Sequence, residues 1–121
     1  MKLLKSVLLG MTLLAFTTAG NSQIDLSTVS AAPAYLSEEN CISIETSVPV
    51  QEFYVFSITS LGFASEEEAA KYCNTDLSNL LTLHLDYANS QVFLQLHTDR
   101  LPEAKSATWW NDYVGEYCFN H

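Results

Sequence analysis

Shortly after residue 40, apolar and polar positions begin to alternate with a period of two. Within residues 41–48 every second position is apolar or threonine, which predicts a strand that ends at Pro49. Residues 53–61 are dense in aromatic and β-branched side chains, which predicts a second strand closed by Gly62. The pattern leaves open which side chains of the second strand face away from the core, Phe53 with Val55 or Tyr54 with Phe56.

Two later segments have the spacing of amphipathic helices. Ser65 followed by Glu68 is a capping box, and acidic residues in the first turn favour the helix dipole, so we predict a helix over residues 66–75. Residues 107–118 place aromatic side chains at helical spacing after a cap at Ser106 or Thr108, which predicts the second helix. The predicted inward positions of the first helix are Ala69, Ala70, Tyr72 and Cys73.

Between the two helices the pattern predicts a β-hairpin. Residues 81–87 and 92–97 alternate apolar and polar positions on either side of a turn. A two-residue loop at residues 89–90 places Leu85 opposite Leu94, so that each inward side chain meets an inward partner.

The predicted order of elements is strand, strand, helix, strand, strand, helix. From residue 52 onward this is the βαββα split unit of ferredoxin-like folds, an α+β class with two helices on one face of a mainly antiparallel sheet. In that topology the 92–97 strand lies between the 53–61 and 81–87 strands. The 41–48 strand is expected as an extra N-terminal edge strand beside the 53–61 strand.

The first twenty residues have the organisation of a secretory signal peptide: a start with two lysines, an apolar run and small residues at its end. A membrane anchor is the alternative, but the run is interrupted by polar residues and barely reaches the roughly 20 apolar residues of a spanning helix. We predict cleavage after Ala19 or Gly20 and export to the periplasm or the medium. Residues 21–40 are then expected to be a flexible linker or arm, and residues 41–121 a single domain.

Loss of this leader makes an acidic chain more acidic. It removes two of the five cations and none of the fourteen acidic residues, which leaves a net charge of −11 with histidine neutral. Such a chain repels phosphate backbones and anionic membrane surfaces, so nucleic-acid binding is excluded as a function. Cationic partners, divalent metals or simple solubility remain as reasons for the charge.

Three cysteines in an exported chain allow one disulfide and one free thiol. Antiparallel helices would put Cys73 and Cys118 at opposite ends of the domain, beyond the roughly 4.4–6.8 Å between Cα atoms that a bridge requires. Cys41 is expected at the same end as Cys118, so we predict a Cys41–Cys118 disulfide with Cys73 buried. Three reduced cysteines are equally compatible with the sequence.

The sheet face opposite the helices carries the candidate chemistry. The predicted register puts His84 and His97 on a diagonal about 7–8 Å apart at Cα, with Asp86 on the same face. Two histidines and a carboxylate can bind zinc or copper, although such residues are commonly just solvent-facing. Phe93 shares this face, which indicates either a contact surface or a face covered by residues 24–36.

Trp109 and Trp110 cannot both face the core, because adjacent helical residues point about 100° apart. One is expected in the core and the other partly exposed, where it would pack at the boundary or stack on a sugar or a protein. The sequence holds no nucleophile elbow, zinc-protease helix, phosphate loop or C-x-x-C motif. We therefore predict no enzymatic activity and no cofactor.

From residue 52 to residue 118 the layout resembles a heavy-metal-associated domain: a strand ending in ITSLG at residues 58–62, a helix, the hairpin and a second helix. In that family the following loop carries a C-x-x-C that binds copper or zinc, whereas here residues 63–66 read FASE. The resemblance implies the fold without the metal site, so it transfers no functional residue. The segment GFASEEEA at residues 62–69 is also similar to sporulation-related repeats that bind cell-wall glycan, a family that ends in a further strand.

The leading hypothesis is an exported, non-enzymatic domain that binds a protein or envelope component through its open sheet face, with a homodimer through that face as a further option. The alternative is a metal-binding or metal-carrying protein that uses the sheet-face histidines. A glycan binder that uses either tryptophan is a third hypothesis.

Overall fold

The computed structural model describes residues 24–120, and within them two helices pack on one face of a six-stranded mixed sheet. The strand order is β2-β1-β3-β6-β5-β4, with β1 and β3 parallel and the other neighbours antiparallel. The predicted mixed α+β class is confirmed. The predicted leader lies outside the described residues. The elements are β1 (Ala32–Leu36), β2 (Ile42–Ile44), β3 (Phe53–Ser57), α1 (Glu66–Cys73), β4 (Asp76–Ser78), β5 (Leu81–Asp86), β6 (Gln91–Leu96) and α2 (Ala107–Val114).

The segment predicted as a linker contributes strand β1. In parallel pairing, Ala32 lies opposite Tyr54, and in antiparallel pairing Leu36 lies opposite Ile42. Strand β1 therefore takes the position beside β3 that the sequence predicts for residues 41–48, and the sheet begins before residue 41. The pattern misses β1 because its residues, APAYL, are apolar throughout and give no contrast with a period of two.

The hairpin of β5 and β6 has a register two residues away from the predicted one. Leu85 lies opposite Val92, not Leu94, and the connection spans residues 87–90. A two-residue type I′ loop requires positive φ at both central positions, but here only Ser90 has it, at 51°. An even shift keeps every side chain on its predicted face and changes only its cross-strand partner.

Helix α1 begins as the sequence predicts, with Ser65 Oγ accepting from the Glu68 amide at 3.1 Å. The Glu68 carboxylate accepts from the Ala64 amide at 2.7 Å rather than from that of Ser65. The helix ends at Cys73, which is fully buried with Ala69. Tyr72 is 38% exposed and stacks on Phe63, so its predicted inward position is wrong.

Helix α2 starts after a Ser106 cap and ends at Val114, four residues before the predicted end. The chain after it closes the outer edge of β2: the Ile42 amide donates to the Tyr117 carbonyl, and the Phe119 amide donates to the Asn40 carbonyl. From α2 itself, Asn111 Oδ1 accepts from the Ile44 amide at 2.8 Å. Groups that would otherwise form an open strand edge are thereby paired.

The predicted Cys41–Cys118 disulfide is confirmed. The two residues form an isolated antiparallel pair whose flanking residues make the hydrogen bonds, the type of pair in which facing side chains lie closest. The bridge joins residues 77 positions apart in the chain and links the start of β2 to the segment after α2. Cys73 is free and buried, and burial raises the pKa of its thiol to about 11.

Removing the bridge in the double variant Cys41→Ser/Cys118→Ser is expected to lower the free energy of unfolding by about 2–5 kcal/mol, because the unfolded chain loses a long closed loop. Urea denaturation with and without reductant measures this loss. Reductant should shift the wild-type curve and leave that of the double variant in place. A wild-type curve that reductant does not move would contradict the stabilising role.

Asn111→Ala is expected to cost about 1–3 kcal/mol, because the backbone amide of the buried Ile44 loses its acceptor. Asp112→Ala is the matched control, since it is exposed on the same helix and should stay within about 0.5 kcal/mol of wild type. Denaturation midpoints of the two variants give the comparison. Equal effects would show that the Asn111 side chain does not hold the β2 edge.

Candidate functional site

The face of the sheet opposite the helices, here called the outer face, has an apolar row across three strands that ends at His84 on a fourth. Pro33 lies opposite Val55, Val55 opposite Phe93, and Phe93 opposite His84. The alternate residues of the same strands point into the core, and Tyr54 among them is fully buried. Of the two orientations that the sequence left open for β3, the one with Phe53 and Val55 outward is therefore the observed one.

Polar side chains flank this row on both sides. Tyr35, at the β1 end, is 50% exposed and is the most exposed large apolar side chain of the described residues. The outer face is thus an apolar strip flanked by two mostly polar rows, one of which begins at Phe53. One flanking row contains Phe53, Gln95 and Thr82, and the other contains Ser57, Gln91 and Asp86.

His84 is held in a chain of side-chain hydrogen bonds. Gln95 Nε2 donates to Glu52 Oε2 at 2.9 Å, which leaves Gln95 Oε1 to accept from His84 Nε2 at 2.9 Å. The Phe53 ring lies 6.3 Å from the imidazole, centroid to centroid. A metal at Nε2 would have to displace the Gln95 contact.

His97 belongs to a second series of side-chain hydrogen bonds, at the β4 edge of the outer face. Thr82 Oγ1 donates to Asp76 Oδ1 at 2.6 Å and therefore accepts from His97 Nε2 at 2.7 Å. Burial lowers the pKa of His97, and the charge of Arg100 lowers it further, against the opposing effect of nearby carboxylates. His97 is accordingly a neutral hydrogen-bond donor at pH 7.

The predicted diagonal of His84 and His97 is wrong because of the register shift. His84 lies opposite Phe93, four residues before His97 on β6, so the two histidines are about 13 Å apart along the hairpin. Asp86 lies beyond His84, on the side away from His97. Within residues 24–120 no three His, Cys, Asp or Glu side chains come together in a way that could hold a metal ion.

The two tryptophans lie on the helix side of the sheet, away from the histidines. Trp110 is 1% exposed in the core and Trp109 is half-buried, as the helical geometry predicts. Tyr113 stacks on the Trp109 ring at 5.4 Å, and Lys105 Nζ lies over the same ring at 5.5 Å. A sugar would have to compete with both contacts for the ring.

The chain that leads into β1 lies beside Phe93. Ile24, Asp25, Leu26 and Ser27 line a groove of about 480 Å³ with Asp86, Asn89, Gln91 and Phe93. Phe93 is only 7% exposed although it points away from the helices. The sequence left open whether this face is a contact surface or is covered by residues 24–36. The two alternatives apply to different parts of it: the Phe93 part is covered, whereas Pro33 and Tyr35 lie open.

Sequence reasoning missed three residues of the outer face, namely Pro33, Tyr35 and Glu52. The first two belong to β1, whose uniformly apolar pattern carries no strand signal. Glu52 and Gln95 contact each other across 43 residues of sequence, so only the pairing of β3 with β6 brings them together.

Comparison of the chain with protein-family models, with curated proteins and with solved structures finds no match. Neither helix of residues 24–120 is long and apolar enough to cross a membrane.

His97→Gln is expected to flatten the pH dependence of stability between about pH 7.5 and 5.5. Because the pKa of His97 is lowered in the folded state, the unfolded chain binds a proton first as the pH falls through the ordinary histidine range, so wild-type stability decreases there. Urea denaturation at several pH values tests this. Above pH 7.5 the free energies of unfolding of wild type and variant should change with pH in parallel. Curves that stay parallel down to pH 5.5 would contradict the role of His97.

Proposed function

We propose that this protein is an exported, non-enzymatic binding domain that contacts a cationic protein surface through its outer face. The observation that supports this most is the apolar row from Pro33 to His84, which lies on the face opposite both described helices. Apolar side chains with a polar rim are typical of a protein contact surface. Tyr35 is the residue type that most often contributes strongly at such surfaces.

The charge of the rim supports a cationic partner. Glu52, Asp76 and Asp86 all make hydrogen bonds on the outer face or at its edge. Of the three cations outside the predicted leader, Lys71 belongs to α1 and Lys105 lies over Trp109, so both are on the helix side. Only Arg100 lies near the outer face, beside His97 at the β4 edge. A complementary surface has an apolar centre with Lys or Arg around it, and such charge pairs speed association and weaken with salt.

A second copy of the chain is a poorer partner on the same grounds. Each copy without the leader carries a net charge of −11, and a symmetric dimer through the outer face would bring the same carboxylates together. A heterotypic partner avoids this repulsion.

Two independent features support export. The Cys41–Cys118 disulfide is consistent with an oxidising compartment, and residues 1–20 have the signal-peptide pattern. We therefore place the mature protein in the periplasm or outside the cell.

The finer fold assignment is also a proposal. We infer a ferredoxin-like unit from β3 to α2, supported by the order strand, helix, strand, strand, helix and by β6 lying between β3 and β5. Strands β1, β2 and β4 are then additions to that unit. The resemblance to heavy-metal-associated domains extends to this layout and not to ligands, since Cys73 is the free cysteine of the described residues and is buried.

Tyr35→Ser is expected to weaken partner binding about tenfold or more, because it removes an exposed aromatic from the rim of the apolar row. The chain of residues 21–121 is immobilised, proteins are captured from the envelope and culture fluid of its source, and the affinity of each captured protein is then measured. Raising the salt concentration from 50 to 500 mM should also weaken binding, by about an order of magnitude.

Tyr72→Ser is the matched control, since it removes the same type of side chain at 38% exposure from α1 on the helix side. Circular dichroism confirms that both variants are folded. Equal capture by the two variants, or capture that salt does not weaken, would overturn the proposed site.

A further inference from the structure

The burial of Phe93 is unusual for its position on the sheet. Its neighbours on the outer face, Phe53 and Val55, are only half-buried, whereas Phe93 is 7% exposed. What distinguishes Phe93 is the groove it shares with Ile24 and Leu26. Residues 24–30, here called the arm, begin at this groove beside Phe93 and belong to neither helix.

The arm is attached to the rest of the domain by few interactions. Its hydrogen bonds within the described part of the chain are internal: Asp25 accepts from Ser27 and Thr28, and the Val29 amide donates to the Leu26 carbonyl. Ile24 and Leu26 are half-buried, and a groove of about 480 Å³ stays open beside them. A segment that shares no hydrogen bonds with the domain around it can open locally at low cost.

The anchor of the arm lies outside it, in β1. Ala32 and Pro33 pair in register with β3, so the sheet holds the chain from β1 onward. The arm can leave the outer face without breaking a strand pair. Its departure uncovers Phe93 at the centre of the apolar row and moves Asp25 away from the Asp86 end of the face.

We propose that the arm is a displaceable cover of the outer face, which occupies the Phe93 part and competes with the partner for it. The competition rests on the proposed function, whereas the opening of the arm does not. When a partner binds only the open form, its apparent association constant equals the intrinsic one multiplied by the fraction of molecules in which the arm is open. A variant that releases the arm gains affinity up to that limit.

The decisive variant is Leu26→Asp in the chain of residues 21–121, which places a charge where an apolar side chain meets the groove. Ser30→Asp is the matched control, because it adds the same charge at an exposed position of the arm. The probe is the neutral apolar dye Nile red. Its fluorescence should rise several-fold with Leu26→Asp and remain at the wild-type value with Ser30→Asp.

A chain that begins at residue 31 is the second variant, and it should bind the dye as Leu26→Asp does. Adding Phe93→Ser to it should abolish most of the increase. Hydrogen exchange of the chain of residues 21–121 gives an independent readout: the amides of residues 26–30 should exchange far faster than those of β3 and β6. Unchanged dye binding in both variants, or arm amides protected like those of the sheet, would overturn the cover.

Partner capture separates this inference from the proposed function. If capture depends on Tyr35 and neither dye binding nor capture responds to Leu26→Asp, the cover is wrong and the binding face stands. If dye binding rises with Leu26→Asp but capture does not depend on Tyr35, the cover stands and the proposed face is wrong. With both correct, Leu26→Asp increases dye binding and capture together.

Discussion

The structure depends most on the closure of the β2 edge by the end of the chain. Eight-residue helices have little stability of their own, so α1 and α2 persist because they bury side chains against the sheet. The Cys41–Cys118 bridge and the Asn111 contact bind the C-terminal segment to β2, and β2 in turn pairs with β1. In a domain with one small hydrophobic core, these contacts link residues that are far apart in the described chain and so stabilise the fold.

With both helices on one face, the other face of the sheet is free for a different purpose. Strand alternation sends Tyr54 into the core and its neighbour Val55 outward, so the same strands that build the core also build the apolar row. The row is only partly covered, and its cover is a short arm without hydrogen bonds to the sheet within the described residues. A stable scaffold and a loosely held segment thus meet at Phe93, the type of place at which binding can be regulated.

The outcome at the histidines shows how sensitive a predicted site is to register. A shift of two residues in the hairpin leaves His84 and His97 on the outer face, yet it separates them along the strands and places each in its own hydrogen-bond chain. The predicted register, with Leu85 opposite Leu94, also puts Gln95 opposite His84 and Thr82 opposite His97. In the structure the same pairs are hydrogen-bonded, but as diagonal neighbours. Face can be predicted from a period of two, whereas distance across strands requires the turn geometry.

By itself the sequence determined what local chemistry controls: the α+β class, the Ser65 cap of the first helix, the inward face of the hairpin and the acidity of the chain. It predicted the Cys41–Cys118 bridge but left three reduced cysteines equally open. The tertiary structure alone decided that residues 32–36 enter the sheet, that the hairpin turn takes four residues, and that Glu52 meets Gln95 on the outer face. The physical reason is the range of the interactions. Caps and periodicity act within a few residues, while strand order and burial depend on segments far apart in the chain, which only the folded sheet brings together.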